Sequence, residues 1–145
     1  MRSRHWQGRQ SRCCVPQDPP LNWVDSIDYQ HESVISLSDW IEGLSRYAQL
    51  DVVARLESLT TKAANGELVV GEEQIEPIVS DPAMYELRWT LLSKIVRQYH
   101  AEPEKYPEHL VKLHIHIKAD ATRQVASERS QQQEIDTAID RYHGT

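Results

Sequence analysis

The sequence predicts an α+β fold, a small antiparallel sheet packed by an N-terminal helical hairpin and a C-terminal helix. Three observations carry this reading. Residues 84–118 contain three segments in which apolar and polar residues alternate, the period of a half-buried strand. Two earlier stretches repeat apolar residues every three or four positions, as amphipathic helices do. After residue 118 the chain turns polar and then resumes that helical repeat.

Taken in order, residues 1–22 hold Arg, Gln, Ser and three Pro without any periodic pattern. They read as a flexible extension, with an Arg-rich RNA-binding arm as the alternative. Residues 23–145 form the domain, and residues 22–35 supply an edge strand. The first helix starts near Ser36, where Ser36 and Asp39 make a capping pair. Leu37, Ile41, Leu44 and Ala48 form its stripe. Asp51 caps a second helix whose stripe is Val52, Val53, Leu56, Leu59 and Ala63, and Asn65-Gly66 stops it. The two are close enough in sequence to pair as a hairpin.

Residues 66–82 read as a loop, and Asp81-Pro82 marks a turn. Tyr85, Leu87, Trp89 and Leu91 then alternate with polar residues. Leu91, Leu92, Ile95, Val96 and Tyr99 fit helix as well as strand; the aromatic and branched content favours strand. The intervening turn, Leu92-Ser93-Lys94, lacks the Gly or Asn of tight hairpins. In the last strand Val111, Leu113, Ile115 and Ile117 fall on one side, with Lys112, His114, His116 and Lys118 on the other. A final helix runs from about Ser130 through Ile135, Ala138, Ile139 and Tyr142.

The chain of 145 residues is long enough for one domain with a real core. No apolar run approaches the ~20 residues that span a bilayer. Met1–Pro20 lacks the apolar middle of a secretory signal. A cytoplasmic protein with no membrane partner is expected. Cys13 and Cys14 are adjacent, which disfavours a mutual disulfide, and they read as incidental thiols in the extension. The net charge of −6 is uneven: residues 24–83 hold twelve acids against Arg46, Arg55 and Lys62, whereas residues 84–118 are net basic. A nucleic-acid partner would therefore be met through a local patch, and the acidic part suits a basic partner.

That patch is the strand region. Arg88, Arg97, His114, His116 and Lys118 make a cationic, imidazole-bearing sheet face suited to phosphate chemistry. A forked guanidinium meets developing phosphate charge with two directed donors, and imidazole titrates near neutrality. A solvated strand face is the plainer explanation, with Arg88 and Arg97 pairing Glu86 or the acidic helices. Glu86 is either a general base or a cross-strand ion-pair partner. His114 and His116 with His100 would suit a metal, but no fourth ligand of matching spacing is present, and no metal or other cofactor is expected. Trp40, Trp89, Tyr85, Tyr99 and Tyr142 read as packing residues.

In this order the motifs resemble the RelE/HigB superfamily of toxin–antitoxin toxins, in its HigB-like, phage-derived branch. The matching words are Asp39-Trp40-Ile41-Glu42-Gly43-Leu44, Tyr85-Glu86-Leu87-Arg88, Val96-Arg97-Gln98-Tyr99 and Leu113-His114-Ile115-His116-Ile117-Lys118. Glu134-Ile135 to Ala138 and Arg141-Tyr142 fit the closing helix. The likeness spans roughly residues 33–143. It implies a RelE-like fold and a metal-independent mRNA interferase, acting on messenger RNA in the ribosomal A site and neutralised by a cognate antitoxin. By motif position, Arg88 and Arg97 would bind the scissile phosphate, with Lys118 and His116 close to it. Lys94, Lys112 and His114 would hold the RNA. A non-catalytic interaction module of the same fold is the alternative.

Overall fold

The structure, a computed structural model, describes residues 10–69, 74–78, 80–118 and 124–144, with residues 124–129 as backbone alone. The elements are β1 (Asn22–Asp25), α1 (Glu32–Glu42), α2 (Arg46–Ala64), β2 (Ile75–Pro77), β3 (Met84–Leu91), β4 (Lys94–Ala101), β5 (His109–Ile117) and α3 (Gln124–His143). The five strands form one sheet in the order β1-β5-β4-β3-β2.

This is the expected α+β class, but the sheet is mixed. The β2–β3, β3–β4 and β4–β5 pairs are antiparallel, while β1 runs parallel to β5, from Asn22↔His109 to Asp25↔Lys112. The four residues of β1 show no alternation of burial, and their partner lies at the far end of the chain, so no local pattern announces the pairing. Strand β2 falls where a loop was expected.

Helices α1 and α2 cover one face. Their Leu37, Val52, Leu59 and Ala63 meet Tyr85, Leu87, Trp89 and Leu91 of β3 and Val96 of β4. Fully burying one such aliphatic side chain is worth ~1.5–3 kcal/mol. On the other face, Ile135, Ala138, Ile139 and Tyr142 of α3 pack against Met84, Tyr99, Ala101, Val111 and Leu113. Both hairpin helices begin earlier than their expected caps. The His31 ring accepts from Ser33 N at 3.1 Å and opens α1. Ser45 Oγ accepts from Ala48 N at 3.2 Å and opens α2. Among the described residues no helix is long and apolar enough to cross a membrane.

The unbroken alternation expected of residues 111–118 does not hold. Pairing steps from Tyr99↔His114 to His100↔Lys112, so Leu113 is an extra residue, which is a β-bulge. A bulge reverses the facing of everything on one side of it. Val111 and Leu113 therefore share the α3 face with His114 and His116, while Leu110, Ile115 and Ile117 pack on the other. Lys112 is turned away from the imidazoles.

Residues 10–21, expected to be loose, lie against the domain; residues 1–9 are outside the described residues. Ser11 and Cys13 are fully buried and Leu21 nearly so. Leu68 N donates to Cys13 O at 2.9 Å, and Leu21 N to Ala64 O at 2.8 Å. Arg12 donates to the carbonyls of Pro103, Tyr106 and His109. Gly66, at φ 72°, ends α2 where a Cβ would stand 1.8 Å from Val15 O, so both backbone sign and space exclude a side chain.

Two stability tests follow from these turns. Leu92 and Ser93 have φ of 49° and 70°, the left-handed pair of a type I′ hairpin carried by residues that resist it. Replacing Leu92→Asn together with Ser93→Gly raises unfolding free energy by about 1 kcal/mol in urea titration. Gly66→Ala lowers it by more than about 2 kcal/mol in the same assay.

Candidate functional site

Three strands place six polar side chains on the α3 face. Register sets them in two rows: Arg88, Arg97 and His116 across β3, β4 and β5, and Glu86, Tyr99 and His114 beside them. Neighbouring rows on one sheet face bring diagonal partners within reach. Arg88 and Arg97, directly opposite, repel one another, and Glu86 lies between them. Its Oε2 accepts from Arg88 Nη2 at 2.9 Å and Nε at 3.3 Å, and lies 3.7 Å from Arg97 Nε. Gln131 of α3 donates to the other carboxylate oxygen at 3.3 Å. Arg88 also reaches Glu76 of β2 at 3.5 Å.

The distribution is unequal. Glu86 serves Arg88 at hydrogen-bond distance and Arg97 only through space. Arg97 is 6 % exposed, and its Nε and Nη1 find no hydrogen-bond partner among the described residues. A buried cation with open donors is costly unless an anion completes it. Nε and Nη1 are the two open donors, and both are buried, with Glu86 3.7 Å from Nε.

Beside it, Tyr99 O–H donates to His116 Nε2 at 3.0 Å. His116 Nδ1 lies 3.1 Å from the Ile117 carbonyl, which can only accept, so Nδ1 carries the proton and Nε2 is the acceptor. Burial lowers the His116 pKa to about 4, with Glu134 opposing; the ring is neutral at pH 7. Burial, and next the Glu86 charge, push the Tyr99 phenol up. The pair is thus a neutral acid and a neutral base in contact. Glu134 of α3 closes the second row, accepting from His114 at 2.6 Å and Ser33 Oγ at 2.9 Å. Burial would raise its carboxyl, but the hydrogen bonds from His114 and Ser33 hold it low.

The structure therefore brings Arg88, Arg97, His114 and His116 together. Lys118, just past β5, shares their face by alternation, and its amide donates to Ile95 O at 2.7 Å. Lys94 and Lys112 do not join them. Lys94 is exposed at the hairpin, on the face that alternates with Arg97. Lys112 lies 5.7 Å over the Trp23 ring, turned there by the bulge. His100 also faces away, against Trp23 and Tyr85, so the His100–His114–His116 metal triad does not assemble. His114 instead has His31 beside it, and His31, His114 and Glu134 each bring one ligand atom within 4.8 Å of the others. Sequence reasoning set Tyr99 aside as packing, although its spacing from Arg97 puts it on the same face. Glu134, Gln131 and Ser33 come from other elements, where only folding reveals them.

Because His116 is neutral when folded and charges near its ordinary pKa of ~6.5 when unfolded, its folded pKa is depressed. Its share of stability is complete above about pH 6.5 and is lost as pH falls through about 4. The loss is about 3 kcal/mol for such a shift. Urea midpoints of the wild type fall between pH 7 and 4.5, and His116→Gln removes most of that slope.

Comparison with protein-family models, with curated proteins and with solved structures finds no match to this chain.

Proposed function

We propose that the protein is a metal-independent endoribonuclease of the RelE/HigB toxin type, with a RelE-like fold, and that the row Arg88, Arg97 and His116 is its active centre. What supports the reading most is Arg97, a desolvated guanidinium whose open donors fit a phosphate. In the reaction the 2′-hydroxyl of the RNA attacks the adjacent phosphorus. The 2′-O–P bond forms, the P–O5′ bond breaks, and the products are a 2′,3′-cyclic phosphate and a 5′-hydroxyl.

Arg97 and Arg88 hold the non-bridging oxygens and offset the charge that builds on the phosphorane. His116, unprotonated at neutral pH, accepts the proton of the 2′-hydroxyl through Nε2 once Tyr99 turns to the substrate. Lys118 at the end of β5 gives a proton to the departing 5′-oxygen. His114, held by Glu134, positions the row beneath α3. Messenger RNA is the substrate, the ribosome its setting, and a cognate antitoxin the protein partner. The acidic stretch of residues 24–83 suits a basic antitoxin.

A second reading rests on α3. It lies across the same face, and Arg97, Tyr99, His114 and His116 are all buried beneath it. A non-catalytic interaction module of this fold would keep the cluster as a buried polar network.

Induction of the wild-type chain in bacteria lacking an antitoxin arrests growth, and Arg97→Ala relieves the arrest. The purified chain cleaves RNA in the presence of a chelator, leaving cyclic phosphate ends. Arg97→Ala lowers that rate by about 10²–10³-fold, as loss of one charge-stabilising donor does. Harmless expression of the wild type rejects the toxin and leaves the interaction module.

A further inference from the structure

The opposite face of β4 carries a second cluster, distinct in chemistry. Cys13 Sγ, from the docked N-terminal segment, lies 4.0 Å from His100 Nε2 and 3.8 Å from Glu102 Oε2. The latter two atoms are 2.9 Å apart. Cys13 and His100 are fully buried, and Glu102 is 8 % exposed. Glu102 also accepts from Ser11 Oγ at 2.5 Å and from Arg12 N at 2.8 Å.

These contacts do not describe a nucleophile relay. In such a relay the thiol and the acid engage different nitrogens of the imidazole. Here both converge on Nε2, while Nδ1 has no hydrogen-bond partner among the described residues. Full burial of the thiol leaves no approach for a substrate. What the three atoms share is a centre. Their separations leave a point about 2.1 Å from each, against zinc bond lengths of about 2.0–2.3 Å to nitrogen, oxygen and sulfur.

We propose that Cys13, His100 and Glu102 form a structural site for a zinc-type divalent ion that clasps the N-terminal segment to the end of β4. The donors are one sulfur, one nitrogen and one oxygen, a set that suits zinc and excludes the all-oxygen shells of calcium and magnesium. A small shift of the ion within the plane, toward the edge between His100 Nε2 and Glu102 Oε2, lengthens its bond to sulfur and shortens the other two. The Ser11 hydroxyl is the neutral donor at hand for a fourth position. His100 and Glu102 lie 87 and 89 residues beyond Cys13 in the chain, so the ion would fasten a connection that otherwise rests on hydrogen bonds. Burial, then the Glu102 charge, hold the Cys13 thiol protonated without an ion. Binding therefore releases a proton, and affinity rises with pH. The site is separate from the Arg97 row and does not depend on the proposed RNA chemistry.

The test uses the full chain, stripped with a chelator and titrated with zinc or cobalt. One ion binds per chain, and the cobalt form shows a thiolate-to-metal charge-transfer band in the near ultraviolet. Cys13→Ser abolishes the band and weakens zinc binding at least tenfold, whereas Cys14→Ser and His31→Ala preserve both. Zinc raises the melting midpoint of the wild type and leaves that of Cys13→Ser unmoved. Failure of the wild type to bind, binding without the band, or a band lost with Cys14 and not Cys13 overturns the site. Where Cys13→Ser does not fold, the wild-type cobalt spectrum and Glu102→Gln decide, the latter weakening cobalt binding at least tenfold if the site is real.

Discussion

The constraint behind this structure is a polar strand at the centre of a sheet covered on both faces. From Val96 to Ala101 every residue of β4 is buried, and four of those six are Arg97, Gln98, Tyr99 and His100. Central strands of doubly covered sheets are ordinarily apolar runs. Each polar side chain here must find a partner or remain a desolvation cost. Arg97 takes half a share of Glu86, Tyr99 takes His116, and His100 takes Glu102. Gln98 Nε2 finds no partner among the described residues. These partners come from β3, β5 and the residue after β4, and Gln131 of α3 and Ser11 and Arg12 of the N-terminal segment in turn hold Glu86 and Glu102.

Because alternate residues of β4 face opposite layers, the two faces carry different polar sets. Toward α3, two guanidiniums share the buried Glu86, with Glu76 beside Arg88, Glu134 against His114, and a neutral Tyr99–His116 pair between them. Toward the N-terminal segment, Glu102 stands against a thiol, and hydrogen bonds from His100, Ser11 and Arg12 keep the carboxyl low despite burial. That face gathers donors suited to a cation. One strand thus carries an ion-paired guanidinium cluster on one side and a thiol–imidazole–carboxylate cluster on the other. Apolar substitution of any one member would strand its partner, which is costlier than replacing the whole network.

The sequence made part of this legible. Alternation in residues 84–101 identified β3 and β4 and put Arg88 and Arg97 on one face, because the side-chain period of a strand is fixed by backbone geometry. The same logic misplaced Lys112, since a bulge adds one residue without leaving a compositional mark and reverses the facing beyond it. Leu92-Ser93 concealed a two-residue turn that Gly or Asn would have announced. The docking of Ser11–Cys14 was illegible because it depends on Glu102 and on the carbonyls of Pro103, Tyr106 and His109, far along the chain. Glu134 likewise read as a helix residue until α3 set it beside His114.

The parallel pairing of β1 with β5 bears on how the chain reaches this form. Asn22 can meet His109 only after both helices and three strands have been made, and contacts of such long sequence separation slow folding because the loop must close before they contribute. During synthesis the helical hairpin and the β3–β4 hairpin can form from local contacts, while β4 waits for its second neighbour. The half-built sheet exposes an unpaired edge whose side chains include Arg97 and Tyr99. A protein assembled this way acquires its central polar row late, when β5 leaves the ribosome with His114 and His116 and α3 follows to bring Glu134 over them.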